Sequence, residues 1–244
     1  MRSEETLDEL RKYGLKLIQP RYGYRFSLDP LLLCDFAAIR EGEEGVDLGT
    51  GCGVMPLVLV RSAPGTRLVG VESQEDMAAL AERNADLNGL GGRVGILRAD
   101  VLDVKNLLSP SSFDLVVSNP PYRKRGTGRV SPKAGRDNAR HESTAVLADF
   151  IAAAKYLVRP GGRICFICHP VRLAEFLATA GELKLTPMRL RMVHGNPSAS
   201  ARMFLVELVK GRKGELIILP PLMVYREDGR YSEEVERILG LDLP

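Results

Sequence analysis

Apolar and polar positions alternate between two periods through the middle of the chain. Gly45 to Leu48 is a short apolar run ending at a glycine turn, and Val54 to Ser62 reads as the helix that follows. Arg67 to Val71 predicts the next strand. Ser73 is placed to cap a helix over Gln74 to Asn88, with Gly89 positioned to end it. Val94 to Leu97 and Phe113 to Ser118 predict further strands. The alanine-rich stretch Thr144 to Val158 predicts a helix stopped by Pro160-Gly161-Gly162, with a strand over Arg163 to Cys168. This β-α-β-α order predicts a doubly wound, mostly parallel Rossmann-like sheet. Pro187 to His194 and Ala201 to Val209, joined by Gly195-Asn196-Pro197-Ser198, add an antiparallel hairpin near the C-terminus. Upstream, Asp29-Pro30 is a helix start, with Asp29 as N-cap and Pro30 as the first helical residue.

Composition narrows the class. The 244 residues are 45% hydrophobic and 27% charged, enough apolar surface for one sizeable core and too much for a disordered chain. Four cysteines are ordinary usage for a reducing compartment. The longest apolar run, Val54 to Val60, is far short of the roughly 18 residues a membrane span needs. The acidic start, Met1 to Leu10, lacks a secretory apolar segment, so the expected location is cytoplasmic, with no membrane partner.

The net charge of +3 conceals an uneven distribution. Arg123, Lys124, Arg125, Arg129, Lys133, Arg136 and Arg140 face a single acid, Asp137, so this segment carries +6 and the rest of the chain −3. Leu10 to Leu28 holds five more basic residues and no acid. Such clusters suit a polyanionic partner through counterion release, or form a solvated loop.

In open α/β sheets, ligands bind where strands end and the strand order reverses. The first such end reads Val46-Asp47-Leu48-Gly49-Thr50-Gly51-Cys52-Gly53. A dinucleotide fingerprint would need a glycine at position 54, which is Val54, so a nicotinamide enzyme is disfavoured. The spacing, with Asp47 before Gly49, Gly51 and Gly53, resembles the cofactor loop of class I S-adenosylmethionine-dependent methyltransferases. In that setting the Asp47 carboxylate suits the ammonium of the cofactor's methionine end. Glu72 closes the second strand where a ribose diol wants an acceptor, and the family pattern places Asp100 at the adenine amino group of the cofactor.

The fourth strand end reads Asn119-Pro120-Pro121-Tyr122. This block resembles the N-P-P-Y motif of methyltransferases that act on planar amino nitrogens, either N6 of adenine or a glutamine amide. The nitrogen's lone pair is delocalised, so it is a poor nucleophile. The Asn119 side-chain oxygen and the Pro120 carbonyl can accept from its two N–H groups, at about 2.9 Å, and aim the lone pair at the methyl group. Tyr122 offers a face on which a base can stack.

Gln19 through Phe36, the Asn119 to Tyr122 block, and the tail Val224 to Ser232 together resemble the bacterial N6-adenine methyltransferases that modify valine tRNA beside the anticodon. The likeness runs nearly full length. It implies a substrate RNA lying on the basic run 123–140, and a methionine end of the cofactor lined by Phe26 to Asp29, including Ser27 and Asp29. Residues 1–42 are then an extension that helps close the cofactor site on a methyltransferase domain over 43–244. An adenine must be unstacked to be reached, which favours single-stranded RNA over intact duplex DNA. A protein glutamine methyltransferase shares the tetrapeptide, and an RNA-binding module on a methyltransferase fold is a third reading. No metal is expected. Cys165 and Cys168 lie in one strand pattern on opposite faces, and His141, His169 and His194 are scattered. Of these, His169 follows a strand on the ligand-binding edge.

Overall fold

A computed structural model describes residues 4–22, 25–121 and 145–241. Eight of its strands form a continuous sheet path in which the chain winds outward in two directions from the glycine turn. The inner strands are β3 (Glu44–Leu48), β4 (Arg67–Glu72), β5 (Val94–Arg98), β6 (Phe113–Ser118) and β7 (Val158–Cys168). With β8 (Leu185–His194), β9 (Ala201–Lys210) and β10 (Ile217–Ile218), the order is β10-β8-β9-β7-β6-β3-β4-β5, and β11 (Leu222–Met223) also pairs with β8. Only β9 runs antiparallel to its neighbours, as the expected hairpin partner of β8.

Residues of β6, β7 and β9 alternate between two cores. Val117, Cys165 and Leu205 pack under α1 (Asp29–Ala37), α2 (Val54–Ser62), α3 (Glu75–Leu87) and α7 (Glu233–Leu239). Val116, Phe166 and Phe204 pack under α5 (Leu147–Leu157) and α6 (Leu173–Glu182), which lie beyond the short α4 (Val104–Leu107). Cys165 and Cys168 do fall on opposite faces. Phe176 of α6 sits edge-on between Phe166 and Phe204, at centroid distances of 5.3 and 5.7 Å.

Several local expectations are corrected. Leu28, not Asp29, is the N-cap of α1. Asp29 is the first helical residue, where its carboxylate still complements the helix dipole. Gln74, not Ser73, precedes α3, and its N–H is taken by the Glu72 side chain. Pro160-Gly161-Gly162 does not lie between helix and strand. It forms an irregularity inside β7, between the residues that pair with Phe113 and Leu115. A Cβ at Gly162 would come within 2.9 Å of the Asp114 carbonyl, so glycine is required there. Among the elements with no counterpart in the reading above are α6 and an N-terminal hairpin of β1 (Glu5–Leu10) and β2 (Leu15–Pro20).

Candidate active site

The strand order reverses between β3 and β6, which lie side by side. The Ser118 hydroxyl donates to the Leu48 carbonyl at 2.7 Å and laces the two strand ends together. Every acid and amide singled out by sequence, apart from the N-terminal pair, stands in the last two residues of a strand or soon after its end, on this edge.

After β3 the chain turns through Gly49, Gly51 and Gly53 at φ of +79°, +57° and +84°, a region other residues rarely adopt. Gly49 N and Thr50 N both donate to the Val71 carbonyl, at 2.9 and 3.0 Å, pinning the turn to the end of β4. Gly70 leaves room for Thr50, since a Cβ there would stand 2.8 Å from the threonine methyl. Thr50 thereby donates its hydroxyl to Asp47 Oδ2 at 2.6 Å.

Asp47 is fully buried, and its Oδ1 has no partner among the described residues. Burial pushes its carboxyl up to about 7, against the opposing Thr50 hydrogen bond and with a further contribution from the Glu72 charge. A buried acid lacking a counter-ion is costly to hold ionised, and an incoming ammonium group would supply the missing charge. The residues therefore fit the methionine end of S-adenosylmethionine.

Glu72 Oε2 accepts from Gly51 N and Oε1 from Gln74 N, both at 2.9 Å, which fixes the plane of the carboxylate beside the glycine turn. Asp100, half-buried after β5, caps the turn Val101–Asp103 through Oδ1, which accepts from Leu102 N at 2.9 Å. Asn119 is half-buried and Pro120 buried directly after β6. Tyr122 and the basic residues Arg123, Lys124, Arg125, Arg129, Lys133, Arg136 and Arg140 lie outside the described residues, as does His141. Among the described residues no group of three or more His, Cys, Asp or Glu side chains is placed to hold a metal ion. No helix there is long and apolar enough to cross a membrane.

Ser27 and Asp29 stand at the start of α1, where Asp29 N donates to Ser27 Oγ at 3.3 Å. α1 packs on α2, the helix that leaves the glycine turn, and the Cys34 thiol contacts the Met55 carbonyl. The preceding segment is set by Gln19, a buried residue of β2 whose Oε1 accepts from Phe26 N at 3.0 Å.

Sequence reasoning missed the clasp that holds this hairpin. Asn84 of α3 behaves like a neighbouring strand. Its Oδ1 accepts from Ile18 N at 2.7 Å, and its Nδ2 donates to Ile18 O at 3.0 Å and to Cys52 O at 2.9 Å. One turn on, Asn88 does the same to Lys16, at 2.8 and 2.7 Å. Arg83 adds a two-pronged pair with Glu5, at 2.6 and 2.8 Å. Asn84 is fully buried, so one amide joins the hairpin to the glycine turn. The available signal was a polar residue three positions after Ala81 on the buried stripe of an amphipathic helix.

Comparison with known proteins places this geometry. The family described as "Methyltransferase small domain" matches residues 29–180. The chain is 32% identical over 200 residues to a Porphyromonas gingivalis protein named tRNA1(Val) (adenine(37)-N6)-methyltransferase, covering 79% of this chain and 76% of the relative. In fold it is similar to a predicted O-methyltransferase of Agrobacterium tumefaciens, with a TM-score of 0.72 and 23% identity over 87% of this chain and 95% of the other. A geranyl diphosphate C-methyltransferase of Streptomyces coelicolor, solved with S-adenosyl-L-homocysteine, shares the fold at a TM-score of 0.55 and 15% identity, over 74% of each chain. The chain is an S-adenosylmethionine-dependent methyltransferase of the methyltransferase small domain family and belongs, within it, with the tRNA1(Val) adenine-N6 methyltransferases.

Proposed function

We propose that the protein methylates the exocyclic N6 amino group of an unstacked adenine in tRNA beside the anticodon, using S-adenosylmethionine. The observation that carries this reading is the pairing, across the switch point, of a buried acid awaiting a cation with an Asn-Pro block made for a planar amino nitrogen. S-adenosylmethionine supplies an electrophilic methyl group on a sulfonium. Asp47 balances the ammonium of its methionine end, and the Gly49, Gly51 and Gly53 backbone gives it room to approach. Glu72 accepts from the ribose hydroxyls, and Asp100 from the adenine amino group of the cofactor.

Asn119 Oδ1 and the Pro120 carbonyl accept the two N–H groups of the target. This draws its lone pair out of conjugation and holds it toward the methyl group. No strong base is needed, because the nitrogen becomes acidic only once methylated. Tyr122 stacks on the target base. Arg123, Lys124, Arg125, Arg129, Lys133, Arg136 and Arg140 neutralise RNA phosphates.

Residues 1–42 act as an extension to the methyltransferase domain over 43–244. Its hairpin, through Gln19 and Phe26, places Ser27 and Asp29 at the methionine end of the cofactor. The test is transfer of labelled methyl from S-adenosylmethionine to unmodified tRNA, followed by nucleoside mass spectrometry. The label is expected as N6-methyladenosine, and Asn119→Ala is expected to lower turnover about 10²-fold or more while cofactor binding persists. Label found only in protein, or equal turnover in the variant, contradicts the proposal.

A further inference from the structure

β6 and β7 run parallel with Ser118 beside Phe166, so the segments that follow them leave the sheet together. Between them is a small cleft lined by Pro120, Pro121, Leu147, Cys168, His169 and Arg172. Its walls are mostly apolar and it is too small to enclose a ring, so what it can meet is a ring edge laid across its mouth. Two polar side chains stand at it. Arg172 is engaged by Glu175, with both carboxylate oxygens taken at 2.6 and 2.7 Å. His169 is exposed, and its Nδ1 accepts from Val171 N at 3.4 Å, capping the turn Pro170–Arg172. A backbone N–H can only donate, so Nδ1 is the acceptor in this contact and the ring hydrogen free to donate is the one on Nε2. The imidazole thereby offers Nε2–H as a donor at a cleft that Pro120 also lines.

An adenine amino group is flanked by two ring acceptors, N1 and N7. A site that accepts both amino hydrogens becomes complementary to adenine when a donor also meets one flanking nitrogen. We propose that His169 is that donor, and that the cleft between β6 and β7 reads the ring edge of the target adenine through His169 Nε2–H. The inference rests on the N6-adenine reading above and adds to it the residue that selects the base.

The test separates capping from donation. Asn at position 169 still caps the turn but does not reach as far, whereas Gln keeps a longer N–H donor. Methylation is measured on an RNA stem-loop with one target adenine, and on the same RNA with N1 or N7 of that adenine replaced by C–H. Wild-type kcat/KM should fall about tenfold on whichever analogue lacks the nitrogen that is read. His169→Asn should cost about tenfold on normal RNA and lose nothing further on that analogue, with cofactor affinity unchanged, and His169→Gln should recover part of the loss. An Asn variant that matches wild type on normal RNA, or that loses as much as wild type on the analogue wild type discriminates against, overturns the role of His169 alone. A wild-type enzyme that methylates no RNA overturns both readings.

Discussion

The two ends of the sheet treat buried charge in opposite ways. In the amino-terminal half, Arg163 donates to Glu43 at 2.7 Å and to the Ala37 carbonyl, and stands 3.9 Å from Glu207. Arg189 holds the same Glu207 oxygen at 2.6 Å, donates to the Phe36 carbonyl at 3.0 Å and lies over the Phe36 ring. Two guanidiniums and two carboxylates there compensate one another, and they also tie down the last carbonyls of α1. At the carboxyl end Asp47 is equally buried, yet no cation of the described protein stands against it. A charge network closed on itself belongs to folding. A buried acid left without a counter-ion is what the proposed cofactor site would use.

Breaking the closed network should have the largest effect. Arg163→Met leaves Glu43 and Glu207 short of a buried partner and should cost about 3–5 kcal/mol in urea unfolding. The folded remainder should bind cofactor within about twofold of wild type, measured by calorimetry. Asp47→Asn should do the reverse. It removes a buried carboxylate that has no counter-ion, so the free protein should melt no lower than wild type, while the cofactor Kd rises roughly 30-fold.

Asn84→Ala sharpens the contrast by touching both roles. It unmakes the hydrogen bonds to Ile18 and Cys52 and should cost about 1–3 kcal/mol of stability. It should also weaken cofactor binding severalfold, because the glycine turn loses its tie to the hairpin. A variant that loses stability with cofactor affinity intact would confine Asn84 to folding.

The same contrast separates what the sequence disclosed from what it hid. Asp47, the three glycines, Glu72, Asp100 and Asn119 were legible because each lies at or just beyond the end of a strand, so local spacing alone carries the pattern. The β8–β9 hairpin was legible from its turn. The N-terminal hairpin was not. Glu5 to Leu10 has the acidic, leucine-containing composition of a helix, and strand geometry prevails through pairing with β2 and through partners 66 to 78 residues away, Asn84 for Ile18 and Arg83 for Glu5. The helix α6 was obscured by Gly181 in its last turn and by an N-terminus with no side-chain cap, Arg172 standing at that position. Pro160-Gly161-Gly162 was read as a terminator on local grounds, whereas the neighbouring strand recruits it into β7.

The open charge at Asp47 has a signature in pH. Folding raises its carboxyl from 3.8 to about 7, so in the free protein its stabilising share is complete below about 4 and is lost as pH rises to about 7. Binding of a cation has the opposite sign, because it requires the ionised form. The most direct measurement is calorimetric titration of S-adenosylhomocysteine, whose ammonium stays protonated across this range, into wild type and Asp47→Asn between pH 5 and 8. Paired with the ammonium, Asp47 should make the wild-type Kd rise about tenfold per unit as pH falls below about 7, and the Asn variant should be flat. Parallel curves for the two proteins would show that the buried acid is not the counter-ion of the cofactor.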